Sequence, residues 1–282
     1  MTIAGALRHA AARLSQAGID DARLEAEVLL AHALGVDRRS VLASLREALS
    51  SHACARFDLR LARRLSREPL AYIVGRREFF GIDIICAPGA LIPRPETELL
   101  VELVLRELHR RGGALRIADV GTGSGAIAVA VALNVPAAQI IAIDRSSDAL
   151  AVARRNVAQY ALASRIHLVQ ADLLDSVGTC DVVLANLPYV DEAEWSSLAP
   201  EIRDYEPRLA LDGAAGGVAV IARVLAQAPA HLAPGGLLAL EIGDMQASAL
   251  HAEACAAFPA GRSCVIKDLA GRDRVLAVRA AR

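Results

Sequence analysis

The segment that most constrains the fold of this chain runs from residue 115 to residue 130. LRIADV reads as a short apolar strand, Gly121-Thr122-Gly123-Ser124-Gly125 as a turn and AIAVAVAL as a helix. Glycines let the backbone turn tightly and let a ligand approach closely, and the free N–H groups at the start of the helix point towards that ligand. The segment therefore predicts a site for a small polar ligand at the end of a strand.

The acidic residues around this turn leave two kinds of ligand open. Asp119 precedes the first glycine by two residues and is expected to aim its carboxylate into the same crevice, which suits a cationic ligand better than a pyrophosphate. However, Gly121, Gly123 and Ala126 also satisfy the dinucleotide pattern G-x-G-x-x-G/A. Asp144 lies some twenty residues further on, and it can hold a ribose in either case.

Length and composition exclude several classes of protein. With 282 residues, 54% of them hydrophobic and 22% charged, the chain can bury one large core or two modest ones. It contains no signal-peptide stretch and no run of eighteen apolar residues, so we expect a cytoplasmic protein without membrane attachment. We also expect a monomer. Five widely spaced cysteines predict core thiols and no metal site. A net charge of −1 argues against nucleic-acid binding by bulk electrostatics, and we expect no direct sequence-specific nucleic-acid binding.

The N-terminal quarter is predicted to form a separate helical domain over residues 1–68. Apolar residues recur three and four positions apart, with breaks at Gly18, Gly35 and Ser50. Residues 1–76 contain twelve arginines and no lysine against eight acidic residues, which gives this part a charge of +4. Residues 69–95 contain two β-rich runs and are predicted to form a hairpin linker.

A proline-rich run precedes the next helix. Ile92-Pro-Arg-Pro-Glu-Thr97 stiffens the chain and presents Arg94, Glu96 and Thr97 at a helix start, where we expect them to contribute to a site. The alternative is that Glu96 and Thr97 simply cap that helix.

Residues 96–282 are predicted to form an α/β domain. Apolar strands alternate with helices from residue 115 onward, which indicates a mostly parallel sheet covered by helices on both faces. The final segment, SCVIKDLAGRDRVLAVRA, predicts an antiparallel terminal hairpin. Strands are expected at 115–120, 139–143, 166–169, 181–185 and 236–242, and helices at 125–134, 147–158, 214–231 and 245–257.

Polar residues stand at the ends of four successive predicted strands. They are Asp119, Asp144, Asp172 and Asn186. Ligand sites of such sheets lie at the carboxyl ends of the strands, so we expect these side chains to line one crevice beside the glycine loop.

The tetrad Asn186-Leu187-Pro188-Tyr189 is the most informative motif. Pro188 forces Leu187 into an extended conformation, so the Asn186 side-chain carbonyl and the Leu187 backbone carbonyl can accept the two hydrogens of one NH₂ group. Tyr189 offers a flat surface for a planar amide or base. These features predict that a planar amine attacks a sulfonium methyl group held in the adjacent crevice, with no metal required. The alternative is a simple turn after a strand.

Five segments, in order and spacing, give the chain a resemblance to a known family. EPLAYIVGRREFFG, LIPRPETELLVE, DVGTGSGAIAV, ANLPYV and YEPRLALDG resemble the glutamine methyltransferases of bacterial peptide-chain release factors. The resemblance implies a class I, Rossmann-like methyltransferase domain after a helical substrate-recognition domain. It also implies S-adenosyl-L-methionine as cofactor, the release factor as protein partner, and methylation of the glutamine amide in a Gly-Gly-Gln motif.

The resemblance also implies roles for single residues. Gly121 to Gly125 would hold the methionine part of the cofactor, Asp144 the ribose, and Asp172 with Leu173 the adenine. Asn186 to Tyr189 would receive the glutamine. From their place at the start of the helix after the proline-rich run, we also expect Arg94 to contact the substrate and Glu96 and Thr97 to contact the cofactor. Leu187 replaces a proline that is usual in the family, and Leu173 an aromatic residue, so we expect a less rigid tetrad and aliphatic contact with adenine.

Other functions remain open from the sequence. A related enzyme methylates a glutamine of a large-subunit ribosomal protein, and an amino methyltransferase of nucleic acids would present a flipped base to the same acceptors. A non-catalytic cofactor-binding module and an NAD-binding protein are the further alternatives.

Overall fold

The computed structural model describes residues 1–282, apart from the side chain of Ala215. The chain divides into two compact units. The helical unit comprises Met1–Arg76 and Ala199–Tyr205, and the sheet unit comprises Arg77–Leu198 and Glu206–Arg282. Within the described part, no helix is both long and apolar enough to span a bilayer.

The helical unit begins with five helices around its own apolar core, which includes Leu7, Leu30 and Phe57. Side chains placed in the sequence as caps define the helix starts: Asp37 Oδ1 accepts from the Ser40 N–H, and Ser50 Oγ accepts from the Ala53 N–H. The helices are α1 (Ile3–Gln16), α2 (Ala22–Leu34), α3 (Arg38–Ala43), α4 (Ser51–Leu65) and α5 (Leu70–Val74).

The segment between the two units differs in part from the expected hairpin over 69–95. Residues 70–74 form helix α5 where a β-rich run was expected, and this helix ends at Gly75 in the left-handed conformation, with φ of 80°. The two-stranded hairpin follows as β1 (Arg76–Phe79) and β2 (Ile82–Ile85). A helix can start here because Pro69 stands at its N-cap, where a missing N–H has no cost.

The sheet unit contains a seven-stranded sheet of order β5-β4-β3-β6-β7-β9-β8. Strands β3 to β7 are parallel, whereas β9 runs antiparallel to β7 and to β8. The predicted α/β class with an antiparallel terminal hairpin is therefore confirmed. The strands are β3 (Arg116–Val120), β4 (Gln139–Asp144), β5 (Ile166–Gln170), β6 (Cys180–Ala185), β7 (Leu232–Glu241), β8 (Arg262–Lys267) and β9 (Asp273–Arg279).

Helices cover both faces of this sheet. Alternate residues of a strand point to opposite faces, so Ile117 belongs to one apolar cluster with α6 and α7, and Ala118 to another with α10 and α11. The helices are α6 (Glu98–Arg111), α7 (Ala126–Asn134), α8 (Ser147–Gln159), α10 (Ala219–Gln227) and α11 (Ala247–Ala257), and α9 (Pro200–Tyr205) belongs to the helical unit.

Two predicted elements differ most from their expected bounds. The helix expected over 214–231 is reduced to α10, because glycines at 216 and 217 adopt positive φ values of 66° and 68° before it and Pro229 starts a separate turn after it. Strand β7 starts at Leu232, earlier than predicted, because the Pro-Gly-Gly segment stays in the strand beside β6 with a shift of register. Neither change affects the carboxyl ends of the strands.

The strand order determines where on the sheet the predicted ligand site lies. The chain proceeds from β3 to β4 and β5 on one side, and then crosses to β6 on the other side of β3. The carboxyl ends of β3, β4 and β6 therefore flank a topological switch point, where sheets of this type bind ligands.

Candidate active site

The glycine loop follows β3 and has the conformation that its glycines permit. Gly121, Gly123 and Gly125 all have positive φ, at 70°, 56° and 78°. A Cβ on Gly123 would meet no atom closer than 3.9 Å, so this position is open, whereas a Cβ on Gly125 would come within 3.2 Å of the Ala153 Cβ. Gly125 therefore allows α7 to pack against α8, and Gly121 and Gly123, which are half-buried, line the cavity and form the cradle.

Asp144, at the end of β4, is fixed against this loop. Its Oδ2 accepts from the Gly123 N–H at 2.9 Å and its Oδ1 accepts from the Ser146 N–H at 2.9 Å. Burial raises the pKa of Asp144, although these N–H groups act in the opposite direction. Each oxygen has one lone-pair direction in use, so the carboxylate can still accept from a diol.

A single cavity brings together most of the side chains singled out in the sequence. Those on its wall are Arg94, Thr97, Gly121, Thr122, Gly123, Ser124, Asp144, Asp172, Leu173, Asn186, Leu187 and Pro188. The wall does not include Asp119, Gly125, Glu96 or Tyr189.

Asp119 departs from its predicted place. It is 0% exposed and does not aim its carboxylate into the crevice. Its Oδ2 accepts from the Thr122 hydroxyl at 2.6 Å, and Oδ1 has no hydrogen-bond partner among the described residues. Burial raises the pKa of Asp119 to about 6. Asp119 is thus covered at the end of β3 and supports the glycine loop through Thr122.

Glu96 and Tyr189 also lie away from the wall. Glu96 is exposed, in the single turn Pro95–Thr97 before α6. Tyr189 directs its hydroxyl to Glu241 Oε1 at 3.3 Å, which turns the ring off the cavity, and burial raises its pKa. A contact between this ring and the target amide remains a prediction.

At the predicted adenine end, Asp172 is paired with a residue that sequence reasoning missed. Arg223 Nη2 donates to Asp172 Oδ2 at 2.5 Å, and both residues line the cavity. Leu173 is buried and has φ of 51°, a left-handed conformation that is strained for leucine. Such strain is maintained where the surrounding structure requires it, which is consistent with a wall residue of a binding site.

Arg94 lines the cavity, but its guanidinium is engaged. Nη2 donates to Glu206 Oε1 at 2.6 Å, and Glu206 Oε2 accepts from the Ile92 N–H at 3.1 Å. Glu206 is buried, and Pro207, which follows it, is part of the cavity wall. Arg94 thus fixes one wall of the cavity, which adds a structural role to its predicted contact with substrate.

The tetrad packs directly on the glycine loop. A Cβ on Gly121 would lie 3.0 Å from Leu187 Cδ2 and 3.4 Å from the Asn186 backbone oxygen. The proposed acceptor site and the proposed cofactor cradle are therefore adjacent surfaces.

Thr97 does not cap helix α6. Its side chain makes no capping hydrogen bond. Instead its hydroxyl donates to Glu241 Oε2 at 2.6 Å and accepts from Asn186 Nδ2 at 2.9 Å. The capping alternative considered from the sequence is therefore wrong for Thr97.

Two further residues support the tetrad and were not identified from the sequence. Glu241, 1% exposed, ends strand β7. Gln246 Nε2 donates to the Tyr189 carbonyl at 2.8 Å, and Gln246 Oε1 accepts from the Gly243 N–H at 2.9 Å. One feature of the sequence could have identified Glu241. It is a glutamate within the apolar run LALEIG, at the carboxyl end of a predicted strand.

A mostly parallel sheet with an antiparallel terminal hairpin, a glycine loop after its first strand and an acidic residue after its second defines a class I methyltransferase. The sequence matches the PrmC N-terminal domain family over residues 5–75 and the methyltransferase small domain family over residues 95–202. A methyltransferase from Pyrococcus furiosus has a similar fold, with a TM-score of 0.53 at 20% identity over 72% of this chain and 91% of that one.

Sequence relatives define the family more closely. The chain is 42% identical over 280 residues to the release factor glutamine methyltransferase of Cereibacter sphaeroides, covering 99% of both chains. It is 40% identical over 286 residues to that of Nitratidesulfovibrio vulgaris, covering 99% of this chain and 95% of the relative. The chain belongs to the family of release factor glutamine methyltransferases, which confirms the resemblance seen in the sequence.

Proposed function

We propose that this protein transfers a methyl group from S-adenosyl-L-methionine to the side-chain amide nitrogen of the glutamine in the Gly-Gly-Gln motif of a peptide-chain release factor. The observation that carries this proposal is the direct packing of Leu187 and Asn186 on Gly121. A methyl donor on the loop and an amide on the tetrad would meet at this contact.

The residues of the cavity suit S-adenosyl-L-methionine. Gly123 leaves space where a Cβ would project, and the Asp144 carboxylate lines the cavity beside it with lone pairs to accept from ribose hydroxyls. Leu173 supplies an apolar wall for a flat base. When bound, the cofactor supplies a sulfonium methyl carbon that is open to in-line displacement.

Two acceptors on the tetrad would hold the target amide. Asn186 uses Nδ2 to donate to Thr97, which leaves its Oδ1 to accept one amide hydrogen, while the Leu187 carbonyl accepts the other. An amide nitrogen is a poor nucleophile because its lone pair is delocalised, and two fixed acceptors favour the pyramidal geometry needed for attack. With the cofactor bound, this nitrogen would take the methyl group as the carbon–sulfur bond is lost, and the amide would release one proton to solvent.

We also propose the division of labour predicted from the sequence. In it, the predicted helical domain, residues 1–68, recognises the release factor, and residues 96–282 carry the chemistry. In support, the helical unit has its own core and places Arg56 and Arg60 side by side without a carboxylate partner among the hydrogen bonds and ion pairs described. We propose a cytoplasmic site of action, because release factors work on ribosomes.

The proposal is tested by mass spectrometry after incubating the full-length protein and isotope-labelled cofactor with a release factor. One methyl group on the Gly-Gly-Gln peptide, and none when that glutamine is replaced by glutamate, is the expected result. In parallel reactions, a large-subunit ribosomal protein or an oligonucleotide replaces the release factor. Transfer to either of these alone, or cofactor binding without transfer to any of the three, would contradict the proposal.

Asn186→Ala tests the chemistry itself. Removing one of two preorganised acceptors should lower kcat by roughly a hundredfold or more, because the lost contact is made mainly in the transition state. The cofactor Kd should change by less than about tenfold, since Asp144 and the glycine loop are untouched. An Asn186→Ala enzyme with normal turnover would place the chemistry elsewhere.

A further inference from the structure

A buried glutamate lies behind the tetrad, out of reach of the cavity. Glu241 is 1% exposed, and its two oxygens accept from hydroxyls on separate elements, Thr97 before α6 and Tyr189 after β6. Glu241 is absent from the cavity wall, whereas Thr97 and Asn186 are on it. A buried carboxylate is costly unless it is hydrogen-bonded, and here both partners belong to the elements that frame the proposed target site.

The direction of these hydrogen bonds fixes the side-chain amide of Asn186. The Thr97 hydroxyl donates its single hydrogen to Glu241 Oε2. The Thr97 oxygen then offers only lone pairs to its other neighbour, and Asn186 meets them with its Nδ2 donor. The reverse orientation of the amide would bring its Oδ1 against the Thr97 oxygen, two acceptors with no hydrogen between them.

Burial and the groups around Glu241 shift its pKa in both directions, with a net rise. Burial raises the pKa of Glu241, and so does Glu96 on the turn before α6. The Thr97 hydroxyl, the Arg274 guanidinium on β9 and the Tyr189 hydroxyl act in the opposite direction. These three partners offset the raised pKa only in part, and in the structure both hydroxyls donate to the carboxyl.

We propose that Glu241 is a positioning residue that acts through Thr97 to hold the Asn186 Oδ1 towards the target amide, and that its bond to Tyr189 fixes the other end of the tetrad. This inference rests on the proposed function, because it assigns Oδ1 as the acceptor for the glutamine NH₂. Under this proposal, Glu241 affects turnover although it does not contact the substrate.

The composition of the chain permits a direct test that does not depend on activity. The sequence contains three asparagines, Asn134, Asn156 and Asn186. Full-length protein labelled with ¹⁵N only in asparagine therefore gives three side-chain NH₂ signals, and Asn186→Ala identifies the signal of Asn186. Asn134 donates to the Ala130 carbonyl and Asn156 to backbone carbonyls, so both serve as internal references.

Thr97→Val removes the hydroxyl at constant shape, and Glu241→Gln removes the charge. Both should shift the Asn186 signal and leave the two reference signals in place. Thr97→Ser, which retains the hydroxyl, should return the Asn186 signal towards its original position. An Asn186 signal that stays unchanged in both Thr97→Val and Glu241→Gln would overturn the proposal.

Kinetics provide the second readout. Thr97→Val and Glu241→Gln should each lower kcat by roughly tenfold or more, with Thr97→Ser well above Thr97→Val. Because the effect acts through Asn186, adding Thr97→Val to Asn186→Ala should lower kcat by less than about threefold further. If the double variant instead lost kcat by the product of the two single-variant factors, the proposal would be overturned.

A matched control separates positioning from folding. Glu107 is also a buried glutamate, but it pairs with Arg110 and Arg279 away from the cavity. Glu107→Gln should lower the melting temperature and leave kcat and the Asn186 signal unchanged. If wild-type protein fails to methylate the release factor while the NMR shifts occur as expected, the proposed function fails and the positioning of Asn186 stands.

Discussion

Asp119 makes the stability of the sheet unit depend on pH in a way that a single substitution can isolate. The carboxyl is 0% exposed, with one oxygen on the Thr122 hydroxyl and the other without a partner among the described residues. Burial is the largest cause that raises its pKa from 3.8 to about 6. Asp119→Asn replaces the acid by a neutral group of the same shape that can still accept from Thr122.

The direction of this pH dependence follows from proton binding to Asp119 in the folded and the unfolded chain. Below about pH 4 the carboxyl is protonated in both the folded and the unfolded chain, and no penalty arises. Between about pH 4 and pH 6 the unfolded chain releases this proton and the native protein retains it, so the native state loses stability as pH rises. Above about pH 6 both forms are ionised and the loss is complete.

The magnitude follows from the shift of about two pKa units, since one unit corresponds to about 1.36 kcal/mol. The free energy of unfolding of Asp119→Asn, relative to wild type, should therefore rise by about 3 kcal/mol between pH 4 and pH 7. Taking the difference between the two proteins cancels the titration of all other groups.

Urea denaturation from pH 4 to pH 8 measures this difference. The chain has one tryptophan, Trp195, which lies in the sheet unit with Arg208 5.0 Å from its ring centre, so its fluorescence reports the unit that contains Asp119. Asp148→Asn, at an exposed aspartate of the same unit, is the matched substitution. A difference between wild type and Asp119→Asn that stays constant with pH would refute the buried, protonatable Asp119 described above.

Three further predictions concern binding and geometry. Asp144→Ala should weaken cofactor binding in calorimetry by a few kcal/mol, as expected for the loss of a charge-assisted hydrogen bond to ribose, and an unchanged Kd would remove Asp144 from the cofactor site. Leu187→Pro keeps the backbone carbonyl and restricts its torsion, an effect usually under about 1 kcal/mol, so turnover should be kept or modestly raised; an inactive variant would mean that the leucine side chain is itself required. Replacing Arg56 and Arg60 together by alanine should raise the KM for the release factor with little effect on the cofactor Kd, and an unaltered KM would give the helical unit another role.

Local sequence patterns were sufficient for the fold class and for most of the wall of the site. A strand, a glycine turn and a helix are each encoded by neighbours in sequence, and parallel strands carry the residues that end them to one edge of the sheet. For that reason local patterns predict that Gly121, Gly123, Asp144 and Asn186 lie together, as they do on the cavity wall.

Contacts between distant parts of the chain decided what the sequence could not. Whether Asp119 faces the crevice depends on how the end of β3 is covered, which the spacing of glycines does not specify. The partners of Thr97 and Arg94, Glu241 and Glu206, are more than one hundred residues away, so no local pattern connects them. The residues that build the site could be predicted from the sequence because local structure places them. The hydrogen bonds that orient these residues form only when strand β7 and the segment after Tyr205 pack beside the tetrad and the proline-rich turn.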